Sequence, residues 1–166
     1  MLVRRDGWTR WVAAGGYLAR SGSRPRVSPG DEVHVYRPRD SVDAANGFYF
    51  SFGETVQGDH DASDVIRDYI ATTAAGAVRA TDSLSTRLNR LRVPFSMKSL
   101  DRPEAYWRAD ATVLYVPWWN LRLVLHEVEA FRIAAPDDVR DVTPLFTRRV
   151  APGVAVAEDP ADGSSF

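Results

Sequence analysis

Cysteine is absent from the 166 residues of this chain, which excludes a disulfide framework, a thiolate metal site and a cysteine nucleophile. Only three histidines are present and they are scattered, so no zinc site is expected. Acidic and basic residues nearly cancel at a net charge of −1, which leaves no overall field to attract nucleic acid or an anionic membrane. No apolar run reaches the roughly 18 residues of a membrane span, and no apolar signal segment opens the chain. We therefore expect a cytoplasmic protein without a metal, a nucleic-acid partner or a membrane partner.

Lysine is almost absent as well. The chain has 20 arginines and a single lysine, Lys98, within the strand-like segment 94–100. Arginine stays protonated at any workable pH, whereas lysine can lose its proton and act as a base. The pattern favours a chemical role for this amine, and its plain alternative is a codon bias that spared one lysine.

The length suits one domain with a sizeable core, in line with a content of 45% hydrophobic residues. Residue alternation, apolar runs and helical spacing predict strands over 8–13, 17–19, 32–37, 47–53, 65–71, 95–100 and 111–116, two short strands within 144–157, and helices over 74–91 and from Asn120. The predicted fold class is α/β (α+β), with two main helices packed on a mixed, largely antiparallel β-sheet. Residues 1–30 are expected to form a β-rich preamble, and residues 31–166 the core of this single domain.

The order of these elements predicts how two pairs of strands associate. Gly15-Gly16 is a plausible hairpin turn, which predicts that strands 8–13 and 17–19 pair. Segment 65–100 has the length of a βαβ crossover, which predicts that its two strands are parallel neighbours. Because adjacent parallel strands present like faces, Arg67, Tyr69 and Lys98 can project from the same side of the sheet.

Lys98 is the first candidate for chemistry. On its strand Phe95 and Met97 face one way, while Ser96 and Lys98 face the other. Partial burial and nearby arginines would both lower the pKa of the amine. A neutral lysine can abstract a proton, including a weakly acidic one alpha to a carbonyl. The alternative is a lysine at the rim of the sheet with its ammonium in water.

Arginines and histidines supply the other candidates. Guanidinium groups bind phosphate through paired hydrogen bonds, although most of 20 arginines must lie on the surface. The candidate phosphate ligands are Arg37, Arg67, Arg148 and Arg149, with Arg39 beside the first of them. His34, on a predicted strand, and His60, between two aspartates in a loop, are candidate proton donors. Trp118-Trp119 is either part of the core or a surface for a partner.

Five segments carry a resemblance to a known family. These segments are 47–54 (GFYFSFGE), 94–100 (PFSMKSL), 111–117 (ATVLYVP), 146–154 (FTRRVAPGV) and 157–166 (AEDPADGSSF). Together they resemble the Hop-type type III effector family, whose bacterial relatives serve as lyases in class V lanthipeptide and thioamitide biosynthesis. The resemblance extends over roughly residues 30–166. Family members usually carry further sequence on both sides, so we expect a compact or truncated member.

The resemblance implies a lyase activity. A partner kinase phosphorylates Ser or Thr of a ribosomally made precursor peptide (a RiPP precursor), and the lyase removes the phosphate by β-elimination to leave dehydroalanine or dehydrobutyrine. No metal or organic cofactor is implied. The implied partners are the phosphorylated precursor peptide and the cognate kinase or phosphotransferase, either free or in a complex with this chain. The alternative is a non-catalytic subunit that binds the phosphopeptide or its leader within a kinase–lyase complex, with Trp118-Trp119 as its docking surface.

A more distant similarity implies roles for individual residues. Phosphothreonine lyase effectors have a basic residue and a histidine on one strand, then a helix, then a strand with the general-base lysine about thirty residues on. Arg67, Tyr69 and Lys98 stand in that order, with Lys98 29 positions after Tyr69. The similarity implies that Lys98 is the base and that Arg67 binds phosphate. Tyr69 replaces the expected acidic histidine, which leaves Tyr69, His34, His60 or no residue as the proton donor.

Overall fold

The computed structural model describes residues 1–5, 8–20, 27–36, 38–55 and 64–159. The chain divides into two compact units, Met1–Pro38 and Arg39–Phe166. The larger unit contains both helices and the main sheet. The single domain that the sequence predicts stays a prediction. Within the described ranges, no helix has the length and apolar character needed to cross a membrane.

The smaller unit consists of two separate antiparallel pairs of strands. Strand β1 (Leu2–Arg5) pairs with β2 (Trp8–Trp11), and β3 (Tyr17–Ala19) pairs with β4 (Val33–Val35). The predicted hairpin about Gly15-Gly16 is therefore wrong. The chain does turn there, with a positive φ of 88° at Gly15, but the strands on either side of the turn find partners before and after it in the chain.

The larger unit is built on a seven-stranded sheet in which every neighbouring pair is antiparallel. Its strands are β5 (Asp40–Asp43), β6 (Phe48–Phe52), β7 (Val65–Ile70), β8 (Ser96–Leu100), β9 (Thr112–Pro117), β10 (Arg148–Ala151) and β11 (Val154–Glu158). They lie in the order β10-β11-β7-β9-β8-β6-β5. The predicted fold class, two helices with a largely antiparallel sheet, is confirmed.

Strands β7 and β8 run in the same direction, as predicted, but they are not neighbours. Strand β9 lies between them and pairs antiparallel with both. The apolar run of β9 takes the buried centre of the sheet, where both of its edges are paired. The expected common face survives, because residues directly opposite each other in a sheet point to the same side. Val113 pairs with Tyr69 on one side and with Lys98 on the other.

Two helices cover one face of this sheet. Helix α1 (Ala74–Arg90) begins at Thr73, whose hydroxyl accepts a hydrogen bond from the backbone N–H of Gly76 at 3.0 Å. Helix α2 (Leu121–Ala134) packs against it. The core contains apolar residues of both helices and of one sheet face, with Leu84, Leu88, Val124, Val128, Ile70, Met97 and Leu114 at its centre. Because side chains alternate along a strand, the residues next to these on each strand point to the other face.

Candidate functional site

Lys98 projects from the sheet face opposite the helices and is half-buried. Its neighbour Met97 is fully buried in the core, as the predicted alternation requires. The Nζ atom lies 4.6 Å from the ring centroid of Phe48 and 5.6 Å from that of Tyr115. The amine is therefore partly removed from water and bordered by two aromatic rings.

The surroundings of Lys98 favour its neutral form. Burial is the main cause that lowers the pKa of the amine, followed by the positive charge of Arg67. Arg108 acts in the same direction, whereas Asp110 and Tyr69 raise the pKa. The net shift is downward, so a larger fraction of the amine is unprotonated near neutral pH than in an exposed lysine.

Arg67 lies on the same face and is buried, with 9% of its surface exposed. It pairs in register with Tyr115, and its Cζ atom lies 5.9 Å from the centroid of that ring. Its Nε donates to Oδ1 of Asp159 at 2.5 Å, and the guanidinium also forms a hydrogen bond with Tyr69. Burial lowers the pKa of Arg67, but the bonds to Tyr69 and Asp159 outweigh burial and raise the pKa overall. The residue is a fixed cation.

Two tyrosines, Tyr69 and Tyr115, lie near Lys98 and Arg67 on this face. Tyr69 lies in the row of Lys98, with Val113 between them. Tyr115 lies on β9 between Arg67 and Ser96 of the flanking strands, and its ring is near both cations. Burial raises the pKa of Tyr115, so its hydroxyl stays protonated. Tyr115 was not among the predicted site residues, although it is the only hydroxyl-bearing aromatic residue in the apolar run 111–116.

A second arginine reaches this face from the loop before β9. The Cζ atom of Arg108 lies 5.8 Å from the ring centroid of Phe48, the same ring that borders Lys98. Arg108 binds Asp110 through two hydrogen bonds, Nε to Oδ1 at 2.9 Å and Nη2 to Oδ2 at 2.6 Å. This loop has no alternation or motif from which its arginine could have been chosen in advance.

Arg148 and Arg149 lie away from Lys98. Arg149 is in the row of Lys98 but on β10, four strands away, which corresponds to about 19 Å. It is paired with Asp141 at 2.6 Å. Arg148 is exposed and pairs with Val156, which belongs to the helix-covered face. His34 is exposed on β4 of the smaller unit. Arg37 and His60 lie outside the described residues.

The group that the structure brings together thus contains Lys98, Arg67, Tyr69, Tyr115, Phe48, Arg108, Asp110 and Asp159. It combines a half-buried amine, two guanidinium groups and two phenols on a single sheet face. Such a group can accept a proton, hold an anion and return a proton. Among the described residues, no cluster of three or more His, Asp or Glu side chains has a geometry that would hold a metal ion.

Comparison with known proteins agrees with this architecture. Residues 39–166, which form the larger unit, match the model of the HopA1 effector protein family. A solved structure, that of the effector protein from Pseudomonas syringae pv. tomato strain DC3000, superposes with a TM-score of 0.56 at 18% sequence identity. The match covers 71% of this chain and 46% of that one, so the chain spans less than half the length of the effector. No curated protein matches the chain. The chain belongs to the HopA1 effector protein family.

Proposed function

We propose that this member of the HopA1 effector family is a phosphoserine/phosphothreonine lyase that eliminates phosphate from a kinase-modified precursor peptide. Its products would be dehydroalanine and dehydrobutyrine in a ribosomally made peptide of the lanthipeptide or thioamitide kind. The observation that carries the proposal is the placement of a half-buried amine of lowered pKa, Lys98, on the same sheet face as the fixed cation Arg67. The two chemical requirements of the reaction, a neutral base and a cation for the leaving group, are thus supplied from one sheet face by β8 and β7, which flank β9.

The proposed step is a β-elimination. The neutral Nζ of Lys98 takes the Cα proton of the phospho-residue, and the electron pair of that C–H bond forms the Cα–Cβ double bond. The bond between Cβ and the phosphate oxygen breaks, and phosphate leaves with its electron pair. Lysinium and inorganic phosphate are formed, and no redox partner is needed. Lys98 returns its proton to water before the next turnover.

The leaving phosphate is held by guanidinium groups. Arg67 is buried and fixed, so it provides preorganised positive charge where negative charge develops on the leaving oxygen. Arg108 contacts the same Phe48 ring as Lys98 and is proposed as the second cation for the ligand. Both arginines also lower the pKa of Lys98, so they serve the base as well as the leaving group.

Tyr69 is the proton donor in this proposal: its O–H proton passes to the leaving phosphate oxygen, and the phenolate takes a proton from water before the next turnover. Its hydroxyl is hydrogen bonded to Arg67, so the phenol lies next to the phosphate site. Because the guanidinium has only donors, the phenol oxygen is the acceptor in that bond and its O–H remains available for the leaving oxygen. Tyr115 borders Lys98 and Arg67 with its ring and positions both.

The lyase proposal is tested by incubating a phosphothreonine peptide with the wild type and with Lys98→Arg. Arginine keeps the charge but does not give up its proton. Mass spectrometry should detect loss of phosphoric acid with the wild type and none with the variant. Equal elimination by both proteins would refute the role of Lys98.

A second candidate function is a non-catalytic subunit that binds a phosphopeptide or a leader within a kinase–lyase complex. The observation that favours it is the exposure of Trp118 and Trp119, at 57% and 47%, in the turn before α2. Their rings lie edge to face with centroids 6.3 Å apart. A wild type that retains a phosphopeptide but leaves it intact would favour the subunit over the enzyme.

A further inference from the structure

Asp159 forms an ion pair with Arg67, the residue that is proposed to bind the phosphate. It directly follows β11, and its backbone N–H donates to the carbonyl of Val65 at 2.9 Å, which fixes it beside the first residues of β7. Its carboxylate accepts from Nε of Arg67 at 2.5 Å and also forms an ion pair with Nη2. The side chain of Arg67 is 11% exposed and that of Asp159 is 29% exposed. The carboxylate is therefore the more accessible member of the pair.

The pair has a consequence for any anion that enters the site. A guanidinium binds carboxylate or phosphate best through two donors of one edge. Asp159 occupies the edge of Arg67 that contains Nε and Nη2. An incoming anion that uses this edge must displace a carboxylate that is already in place. The free energy gained on binding is then the difference between the interactions of the two anions with Arg67, and not the whole interaction of one anion with an unpaired guanidinium.

We propose that Asp159 is an internal counter-ion that makes the site selective for doubly charged phosphate over singly charged groups. This inference rests on the phosphate site of the proposed function. A carboxylate of the peptide would exchange one negative charge for another and gain nothing. A phosphate monoester carries a charge of about −1.5 to −2 at pH 7 and three acceptor oxygens, so it outcompetes Asp159. The displaced carboxylate then turns toward water, to which it is already partly exposed.

The selectivity has a chemical purpose for a peptide-modifying lyase. Any Glu or Asp side chain of a peptide substrate shares with phosphate the sign of its charge and the ability to accept two hydrogen bonds from a guanidinium. An arginine without a counter-ion would bind such side chains as well and would be occupied by unmodified peptide. With Asp159 in place, Arg67 distinguishes the phosphorylated residue from its acidic neighbours by charge.

The test measures binding, so that it does not depend on turnover. Two peptides of one sequence are titrated: one carries a phosphonate in place of the phosphate, with a CH2 group for the bridging oxygen so that elimination is blocked, and the other carries Glu at that position. Asp159→Asn should bind the Glu peptide at least about tenfold more tightly than the wild type does, the worth of one charge-assisted hydrogen bond. The phosphonate peptide should gain less, so that the preference for phosphonate falls. Asp141→Asn is the matched control, because it removes an exposed carboxylate that pairs with Arg149 on β10, the edge strand of the sheet, and it should change neither affinity.

Weaker binding of both peptides by Asp159→Asn, or an unchanged preference, would overturn the inference. A second measurement uses only the wild type, in case the variant does not fold. At pH 8.5 the phosphonate is a dianion and should be preferred, whereas at pH 5.5 it is a monoanion and the preference should vanish; a preference that persists at pH 5.5 would overturn the inference.

Elimination from a phosphothreonine peptide is assayed in parallel with the wild type. Active wild type with no change in preference refutes the counter-ion alone. Inactive wild type with the predicted change in preference refutes the lyase alone and supports the counter-ion as part of a binding site.

Discussion

Lys98 and Tyr69 lie in one row of the sheet, each paired in register with Val113 of the strand between them. Two strand spacings separate the backbones, about 9.6 Å, and both side chains point away from the helices. Arg67 follows one row further along β7 and holds Tyr69 by a hydrogen bond. A base, a cation and a phenol therefore face the same space, and this arrangement can be tested group by group.

The role of Arg67 is tested by Arg67→Gln. The change removes a fixed, buried cation, and we expect the dissociation constant of a phosphonate peptide to rise about 10-fold to 100-fold, as for a lost charged hydrogen bond. Arg149→Gln is the matched control and should bind as the wild type does, because Arg149 lies on β10 and is paired with Asp141. Isothermal titration gives both constants. If both variants weaken phosphonate binding equally, Arg67 is not part of the phosphate site.

The two phenols are expected to differ. Tyr69→Phe removes the proposed proton donor, and kcat for elimination should fall on the order of 100-fold. Tyr115→Phe keeps the ring that borders Lys98 and Arg67 and should retain most of the activity. Single-turnover assays on a phosphothreonine peptide measure both effects. A larger loss of kcat with Tyr115→Phe than with Tyr69→Phe would show that Tyr115, and not Tyr69, is the proton donor.

The pH dependence of kcat reports the charges around Lys98. Because the amine must be neutral, kcat should rise with pH until the pKa of Lys98 is passed, and burial and Arg67 place that pKa below its ordinary value. Asp110 raises the pKa of Lys98, so Asp110→Asn should move the rising limb to lower pH. Arg108 lowers it, so Arg108→Gln should move the limb to higher pH. Shifts in the same direction for both variants would contradict this electrostatic account.

Asp68 should make the stability of the fold depend on pH. It faces the core with no exposed surface, opposite Leu114 and Val156, and within the described part of the chain neither of its carboxylate oxygens has a hydrogen-bond partner. Burial raises the pKa of Asp68 to about 8, from 3.8 in the unfolded chain. Between pH 4 and 8 the folded protein therefore binds more protons than the unfolded one. The free energy of unfolding should fall as the pH rises through this range, by on the order of 1 kcal/mol per pH unit.

Urea denaturation of Asp68→Asn at pH 5 and at pH 8 checks this expectation. In the variant, the free energy of unfolding should change much less between pH 5 and pH 8 than it does in the wild type. Asp82→Asn, which changes an exposed aspartate on α1, is the control and should keep the wild-type slope. A slope that persists in Asp68→Asn would assign the pH dependence to another group.

Much of the site was within reach of sequence reasoning because it rests on local patterns. The alternation of Met97 and Lys98 is a property of a single strand, and helix α1 ends within one residue of its predicted bound because its capping and periodicity are local. Arg67 and Tyr69 required only the order of two strands and a helix. Their common face held even though β9 lies between β7 and β8, since one intervening antiparallel strand preserves the direction of the side chains.

The rest depends on contacts that no short pattern encodes. Asp159 is 92 positions from Arg67, and only the pairing of β11 with β7 brings them together. Arg108 belongs to an irregular loop, and Tyr115 was concealed in an otherwise apolar run. Strand β5 (Asp40–Asp43) was missed because its exposed, polar residues form a strand only by pairing with β6 at the edge of the sheet.

The most direct test of the account replaces the amine of Lys98 and then restores it. The chain has no cysteine and a single lysine, so Lys98→Cys introduces one thiol that 2-bromoethylamine converts into an amine of nearly the original length. We predict that Lys98→Cys does not eliminate phosphate from a phosphothreonine peptide, that aminoethylation restores elimination, and that alkylation with neutral iodoacetamide does not. Elimination by the untreated variant, or by the wild type and both alkylated forms alike, would contradict the assignment of Lys98 as the base.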